Sequence, residues 1–284
     1  MRYSTAVRIG PIGFRIGSAW RAPIDLLDDL YRDYPAPDVP DFTVRLDAAR
    51  PWRRWLRPAV TIGGDYTLPD AAPLPLAFGL LAAEMAMNLQ LALGGRRYLL
   101  LHASVVERDG LALVMSGESG AGKSTLATLL AARGWRFMGD EFALIDPATG
   151  LVHAFPRLIS LKNQAIAAAH TAWPTARFGP LLAATPKGDI RHMVPDAAAI
   201  SAMDLPARPA LLLFPRFGAA TATRPMPASE AFVRLTQAST NYVGLGEAGF
   251  SALTRLVGTV SAHAIDYPDG AAAIDQVEAL WRRL

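Results

Sequence analysis

The spacing of apolar and polar positions predicts a small β-rich unit at the start of the chain. Residues 7–16 alternate on either side of a turn that contains glycine and proline, as in a β-hairpin. Residues 42–46 alternate like a half-buried strand, whereas residues 23–34 carry apolar side chains at helical spacing. We therefore predict an N-terminal β-rich substrate or accessory unit over residues 1–73, which ends in a linker at residues 69–75.

Longer apolar segments follow, and they predict an α/β domain over residues 74–284. Residues 76–93 read as an apolar helix closed by two glycines, and residues 98–106 as a strand. An Asp-Gly turn, typical of a β-hairpin, joins this strand to the apolar run at residues 111–115. The sheet is therefore expected to contain an antiparallel pair of strands.

After residue 115, the spacing of apolar residues is less regular. A helix is predicted over residues 124–133, and a strand over residues 210–214. Residues 173–203 are rich in proline, glycine and alanine without clear periodicity, so we predict a long loop that is functional or mobile. Helices are predicted near the C-terminus, over residues 230–239, 249–263 and 271–284.

One segment between a predicted strand and a predicted helix carries a phosphate-binding pattern. Residues 117–124 fit G-x-x-x-x-G-K-[ST], in which backbone N–H groups cradle phosphate oxygens. Lys123 is expected to reach the β- and γ-phosphates, and the Ser124 hydroxyl to bind Mg²⁺. A helix that starts at the loop adds its N-terminal dipole to the anion site. The predicted nucleotide-binding residues are Gly117, Glu118, Ser119, Gly120, Ala121, Gly122, Lys123, Ser124 and Thr125.

Composition limits the class of protein. With 51% apolar and 19% charged residues, the chain is neither disordered nor a coiled coil. The net charge of +3 and the scattered arginines give no indication of nucleic-acid binding. The absence of cysteine excludes disulfides, thiolate metal sites and a cysteine nucleophile.

The same composition bears on membranes and on the cellular compartment. The longest apolar stretch is interrupted by Glu84, Asn88 and Gln90, so a buried helix is favoured over a membrane span. The first residues lack an apolar signal-peptide core. We therefore predict a cytoplasmic protein with neither nucleic acid nor a membrane as a partner.

A cluster of tryptophan and arginine, residues 52–55, is open to two interpretations. It is either an aromatic and basic binding patch or an exposed loop with packed rings.

Two adjacent acids and one histidine are the candidate catalytic groups. Asp140 and Glu141 lie between apolar stretches, just after the helix that follows the phosphate loop. Paired carboxylates can divide the work, one accepting a proton and the other binding the metal, although a solvated surface turn is the alternative. His102 stands in an apolar strand, where a lone histidine is usually a core residue, and its proximity to the acids would favour a site role.

These segments together resemble the bacterial HPr kinase/phosphorylase family. The resemblance rests on residues 101–103, on the phosphate loop at 117–124 and on residues 139–141, and covers roughly residues 98–146. Phrases further along the chain are similar to the branch called HPr-kinase-related kinase A. They are Leu161-Lys162-Asn163, Thr185-Pro186-Lys187-Gly188, Phe214-Pro215-Arg216, Asn241-Tyr242 and Leu245-Gly246.

The resemblance implies a fold of the phosphoenolpyruvate carboxykinase type, with a mixed, partly antiparallel sheet and flanking helices. It implies that Asp140 is the general base for a serine hydroxyl and that His102 hydrogen-bonds this aspartate. Glu141 and Ser124 would hold Mg²⁺, and the nucleotide would be ATP. Members of the branch accompany peptide-modification systems, including kinases of lasso-peptide precursors, and true HPr kinases are hexamers, so a homo-oligomer is possible.

Several positions depart from the family pattern. Glu141 stands where the family has a second aspartate, and Ala103-Ser104 replaces the usual Gly-Val after the histidine. The N-terminal unit does not resemble that of true HPr kinases, which argues against HPr as the substrate. The phosphorylase loop of the family is not identifiable, so reverse dephosphorylation is not expected.

Basic residues outside the loop are further candidates. Lys187, in a Pro-Lys-Gly sequence, is predicted to be a mobile cation over the γ-phosphate. Contacts to phosphate or to an acidic substrate are also considered for Arg157, Lys162, Arg191 and His192.

The sequence thus predicts an ATP- and Mg²⁺-dependent kinase that phosphorylates serine on a peptide or protein, most naturally a ribosomal peptide precursor. Two alternatives stay open. One is a nucleotide-dependent switch or binding protein with slow ATPase activity, and the other is a kinase for a small metabolite.

Overall fold

The computed structural model describes residues 2–68 and 71–284. The first part forms a five-stranded sheet of order β1-β2-β3-β4-β5, with one helix, α1, at Arg21–Leu30. The strands are β1 (Tyr3–Ile9), β2 (Ile12–Ser18), β3 (Phe42–Ala48), β4 (Ala59–Gly64) and β5 (Leu74–Pro75). The hairpin expected over residues 7–16 is present as the antiparallel pair β1 and β2. Part of the predicted linker, residues 69–70, lies outside the described residues.

The apolar helix α2 (Gly79–Gly94) follows a 3₁₀ turn at Leu76–Phe78 and packs on β3 and β4. By length and composition alone, Leu76–Gly94 could cross a membrane, but 56% of its most apolar window is buried inside the protein. A core of buried side chains runs from the N-terminal sheet through α2 to residues beyond Tyr98. The predicted boundary at residue 73 stays a prediction, because this core extends across it.

The second part is built on a six-stranded mixed sheet of order β16-β17-β15-β8-β7-β9. Strands β8, β15 and β17 are parallel, and β7 is antiparallel to both β8 and β9. Two small sheets, β11-β10-β6 and β12-β14-β13, flank it. The strands are β6 (Leu99–Leu101), β7 (Ala103–Arg108), β8 (Leu111–Ser116), β9 (Arg136–Gly139), β10 (Ala143–Ile145), β11 (Val152–His153), β12 (Ile159–Lys162), β13 (Phe178–Thr185), β14 (Gly188–Met193), β15 (Arg208–Phe217), β16 (Ala222–Pro225) and β17 (Ser261–Tyr267).

Helices cover this sheet. They are α3 (Lys123–Ala131), α4 (Gln164–Ala172), α5 (Ala197–Ser201), α6 (Ala228–Ala238), α7 (Tyr242–Leu245), α8 (Glu247–Thr259) and α9 (Gly270–Trp281). The α/β class, the hairpin of β7 and β8 and the helix after the phosphate-binding pattern were all predicted.

Three predicted elements were wrong. The single strand expected over residues 98–106 divides at His102, because β6 pairs with β10 while β7 pairs with β8 and β9. The long loop expected over residues 173–203 is mostly the hairpin of β13 and β14. The helix expected to reach residue 263 ends at Thr259, and the chain continues into β17.

Two tyrosines of the N-terminal unit connect it to a buried ion pair, Glu84 with Arg157, and to Pro156 beside it. The Arg157 guanidinium, 3% exposed, contacts the Glu84 carboxylate and the Asn88 side chain. The Tyr31 hydroxyl donates to Glu84 Oε1 at 2.9 Å, and the Tyr34 hydroxyl donates to the carbonyl oxygen of Pro156 at 2.6 Å. Arg157, considered above as a phosphate or substrate contact, is therefore occupied inside the core.

Removing one member of the Glu84–Arg157 pair should lower the free energy of unfolding. Arg157→Met leaves the Glu84 carboxylate buried without its cation, and we expect a loss of about 3–5 kcal/mol in the free energy of unfolding. Urea denaturation measures it. The matched control is Arg21→Met, which breaks the exposed pair with Asp25 and should cost at most about 1 kcal/mol. Equal losses in the two variants would contradict the structural role of Arg157.

Candidate active site

The phosphate-binding pattern forms the connection between β8 and α3, at the carboxyl ends of the parallel strands β8, β15 and β17. Gly120 and Gly122 have φ values of 87° and 92°, in the left-handed region that glycine adopts without strain. A Cβ atom at Gly122 would lie 2.3 Å from the Tyr267 hydroxyl. The loop therefore needs glycine at residue 122 for both conformation and space.

Lys123 contacts the backbone of its own loop. Its ammonium donates to the carbonyl oxygens of Gly117 at 2.6 Å and Glu118 at 3.0 Å, and the residue is 7% exposed. Burial lowers the pKa of Lys123, which the charges of Asp140 and Glu141 oppose. The first N–H groups of α3 have no partner within the helix, so they are available to an anion beside this cation.

Asp140 lies beneath the loop, directly after β9. The residue is 4% exposed, and its Oδ1 atom accepts hydrogen bonds from Ser104 at 2.5 Å and Ser124 at 3.0 Å. Its Oδ2 atom is buried and has no hydrogen-bond partner among the residues that the structure describes. Burial and the charge of Glu141 raise the pKa of Asp140, while the two serine hydroxyls act in the opposite direction. The site thus holds a carboxylate with one oxygen satisfied and one free.

Strand register decides which side chain faces Asp140. Leu101 pairs with Ala143 in β6 and β10, and Val105 pairs with Gly139 in β7 and β9. Continued towards each other, both pairings place Ser104 opposite Asp140. The expected hydrogen bond from His102 to Asp140 is therefore replaced by one from Ser104.

His102 contacts the other acid. Its Nδ1 atom lies 3.2 Å from the carbonyl oxygen of Glu141 and 3.5 Å from the carboxylate atom Oε2. Both side chains are about one-third exposed, at 38% and 35%. Glu141 has a φ of 74°, a strained conformation for a residue with a side chain. The structure thus pairs Ser124 with Asp140 and His102 with Glu141, the reverse of the expected pairing.

Sequence reasoning did not select Ser104 as a site residue. It is fully buried between the apolar residues Ala103 and Val105 of β7. A buried hydroxyl needs a hydrogen-bond partner, and this requirement is the signal that could have found it.

Two of the other candidate cations lie at one end of the sheet β12-β14-β13. Lys162 ends β12, and its charge contributes to the lowered pKa of Lys123. Lys187 lies in the exposed turn between β13 and β14, which packs against Asn163 through a hydrogen bond from the Asp189 N–H. Lys187 is thus on the turn of a hairpin and not in a long loop.

Arg191 and His192 are already engaged or buried. Arg191 donates to the carbonyl oxygen of Gly179 at 2.8 Å and lies over the Phe178 ring. His192 is 1% exposed, and burial lowers its pKa. Neither contacts the phosphate-binding loop through a hydrogen bond within the described residues.

The site residues fit a magnesium ion that arrives with a nucleotide. Within residues 2–68 and 71–284, no group of three or more histidine, cysteine or acidic side chains could hold a metal on its own. Mg²⁺ is usually bound by one or two carboxylates together with substrate phosphates and water. The unpartnered Oδ2 of Asp140 and the Ser124 hydroxyl match this set, whereas the Glu141 carboxylate contacts His102.

Aromatic side chains border the loop on its other side. The Tyr267 hydroxyl donates to the carbonyl oxygen of Ala121 at 3.1 Å. The Phe217 ring, 50% exposed, lies 5.9 Å from the Tyr267 ring, centroid to centroid. An exposed ring held beside a phosphate-binding loop offers a flat apolar surface to a planar ligand.

Comparisons with known proteins give no match by sequence and a weak likeness by structure. No family model matches the chain, and no curated protein matches it significantly. Among solved structures, the chain is similar to the Hpr(Ser) kinase/phosphatase from Coxiella burnetii, at 13% identity and a TM-score of 0.29. The match covers 65% of this chain and 94% of that one. At this identity and TM-score the likeness carries no argument about the fold or the activity of this chain.

The buried carboxylate should make stability depend on pH. Because the pKa of Asp140 is raised above its unfolded value, the wild type loses stability as the pH rises through the folded pKa. Asp140→Asn carries no charge, so it should be more stable than the wild type at pH 7, with the advantage shrinking towards pH 4. Urea denaturation of both proteins at the two pH values measures the difference.

The matched control is Asp275→Asn, which removes an exposed carboxylate on α9. It should show no such pH-dependent advantage. An Asp140→Asn variant that is less stable than the wild type at neutral pH would mean that Asp140 is stabilised as the anion.

Proposed function

We propose that this protein is an ATP- and Mg²⁺-dependent kinase that transfers the γ-phosphoryl group to a serine hydroxyl of a peptide or protein. One observation carries the proposal: the loop serine, Ser124, donates to a buried carboxylate, Asp140, directly beside the lysine of the phosphate loop. In nucleotide-binding proteins with this loop, such a serine and such an aspartate hold the magnesium ion.

The chain's own groups supply the binding of phosphate. The N–H groups of the loop and of the first turn of α3 take the phosphate oxygens. The Lys123 ammonium exchanges the carbonyl oxygens of Gly117 and Glu118 for the β- and γ-phosphates, since charge-assisted contacts are stronger than contacts to neutral carbonyls. Bound with the nucleotide, Mg²⁺ would neutralise charge on the same phosphate oxygens. Lys162 and Lys187, at one end of the sheet β12-β14-β13, are proposed as further cations for the phosphates.

The two acids divide the remaining work. The contact with Ser124 favours Asp140 as the metal-side carboxylate. Exposure of Glu141, and its contact with His102, favour Glu141 as the group that meets the acceptor. In this assignment Glu141 takes the serine proton as the new P–O bond forms and the bond from the γ-phosphorus to ADP breaks. The roles are thus exchanged relative to those implied by the family resemblance.

A transfer assay tests the proposal. With γ-labelled ATP and precursor peptides encoded beside the gene, label should appear on a peptide serine. Glu141→Gln should lower kcat by about 10²–10⁴-fold, as expected for loss of a general base, with the affinity for Mg²⁺ and ATP little changed.

Asp140→Asn separates the two assignments. If Asp140 holds the metal, this variant should need far more Mg²⁺ for half-maximal ATP binding. If it binds Mg²⁺ and ATP as the wild type does and yet transfers nothing, Asp140 is the base, as the family resemblance implies.

The identity of the phosphate acceptor is the part of this proposal that the structure constrains least. Similarity of residues 161–163, 185–188 and 214–216 to the HPr-kinase-related kinase A branch supports a ribosomal peptide precursor. Hydrolysis of ATP without labelled peptide would contradict the peptide-kinase proposal. It would point to a nucleotide-dependent switch, or to a metabolite kinase if one small molecule accelerated ADP release.

A further inference from the structure

A surface of arginine and tryptophan stands apart from the phosphate loop, on the connection between β3 and β4. We call it the Arg-Trp surface and define it as residues 50–57. It includes a 3₁₀ turn at Pro51–Arg54. The side chains of Trp52 and Trp55 are 53% and 76% exposed, and Leu56 is 67% exposed.

The Arg-Trp surface is anchored to the N-terminal sheet. The Trp20 indole donates to the carbonyl oxygen of Arg54 at 2.9 Å, and the Arg54 guanidinium donates to the carbonyl oxygen of Ala19 at 3.0 Å. Arg50 and Arg54 lie over the rings of Trp52 and Trp55, at 5.4 and 5.7 Å from their centroids. Large apolar rings held open to solvent on an anchored turn are typical of a contact surface.

Charge defines what the surface can contact. Residues 50–58 contain four arginines and no acid. Within residues 2–68 and 71–284, none of these four guanidiniums forms a salt bridge. Arg45, on the neighbouring strand β3, does pair with an acid, Asp47. The local charge of this connection is thus strongly positive, whereas the whole chain carries only +3.

A groove adjoins the Arg-Trp surface. Its volume is about 430 Å³, and it is lined on one side by Arg53 and Arg57. Its other walls are mainly apolar, from Pro58, Ala59, Pro73, Pro75, Leu76 and Ala77. It therefore presents guanidiniums and apolar contacts together.

We propose that the Arg-Trp surface and its groove dock an acidic segment of the peptide or protein substrate. Arginine guanidiniums bind carboxylates in a bidentate manner, and the proline-rich lining of the groove and the exposed tryptophan rings beside it suit interleaved apolar side chains. A nucleic acid would require basic residues along a longer track, which the low net charge does not supply. That the docked segment belongs to a substrate rests on the kinase function proposed above, whereas the binding of an acidic peptide to this surface does not.

A binding measurement tests the inference without using catalysis. The probe is a fluorescein-labelled peptide of alternating glutamate and leucine, which lacks any hydroxyl acceptor, followed by fluorescence anisotropy on the full chain. We expect saturable binding that weakens with salt. The double variant Arg53→Glu, Arg57→Glu should weaken it by at least tenfold, as repulsion replaces attraction, while Lys123→Ala should leave it unchanged.

The matched control reverses the same number of charges elsewhere. Arg133→Glu together with Arg208→Glu, both exposed, should bind the probe as the wild type does. Equal weakening in the two double variants would overturn the proposal, because net charge alone would then explain binding. So would equal affinity for a lysine–leucine peptide, or tighter binding of a single-stranded RNA oligonucleotide or of phosphatidylserine vesicles.

The kinase proposal and the docking proposal fail separately. If the protein transfers no phosphate but still binds the acidic probe through Arg53 and Arg57, only the kinase proposal is refuted. Conversely, if the protein phosphorylates a precursor peptide, deleting the acidic residues of that peptide should raise KM with kcat retained. An unchanged KM would overturn the docking role.

Discussion

Burial of the Asp140 carboxylate is the constraint on which the candidate site depends. Taking an anion out of water is costly, so the fold must supply donors or a cation for it. Two serine hydroxyls supply donors to one oxygen, and the other oxygen has no donor among the described residues. The ammonium of Lys123 stands in the loop beside this carboxylate, and the charge of Asp140 opposes the lowering of the Lys123 pKa by burial. This arrangement is the reason for proposing a nucleotide with its Mg²⁺ at the site.

The rest of the fold holds this carboxylate in place. The antiparallel pairing of β7 with β9 brings Ser104 to Asp140, and the step from β8 through the loop into α3 brings Ser124 to it from the other side. Both contacts converge on one atom, and a one-residue shift in the pairing of β7 with β9 would remove the contact from Ser104. The apolar run at residues 98–106 divides at His102, where the chain passes from the small sheet that contains β6 to the six-stranded sheet that contains β7.

The N-terminal unit is joined to this machinery through the core. Tyr31, on the N-terminal side of the predicted boundary at residue 73, donates to Glu84, and Glu84 forms a buried pair with Arg157; both of these charged residues lie after that boundary. A buried pair of this kind adds little net stability but penalises any arrangement that separates its members. The Arg-Trp surface is therefore carried by a unit with a defined attachment to the site-bearing part of the chain.

Local pattern by itself determined the α/β class and the N-terminal hairpin, because turn chemistry and apolar periodicity act over a few residues. It also selected the glycine-rich segment at residues 117–124 and the acids at residues 140–141 as the candidate site. The hairpin at residues 178–193 was not predicted, because its small residues and prolines obscure the alternation of apolar and polar side chains that is typical of strands. Only the tertiary structure decided that Ser104 faces Asp140, that His102 faces Glu141 and that Arg157 is buried. Such contacts depend on strand register and on packing between residues distant in sequence, which no local pattern encodes.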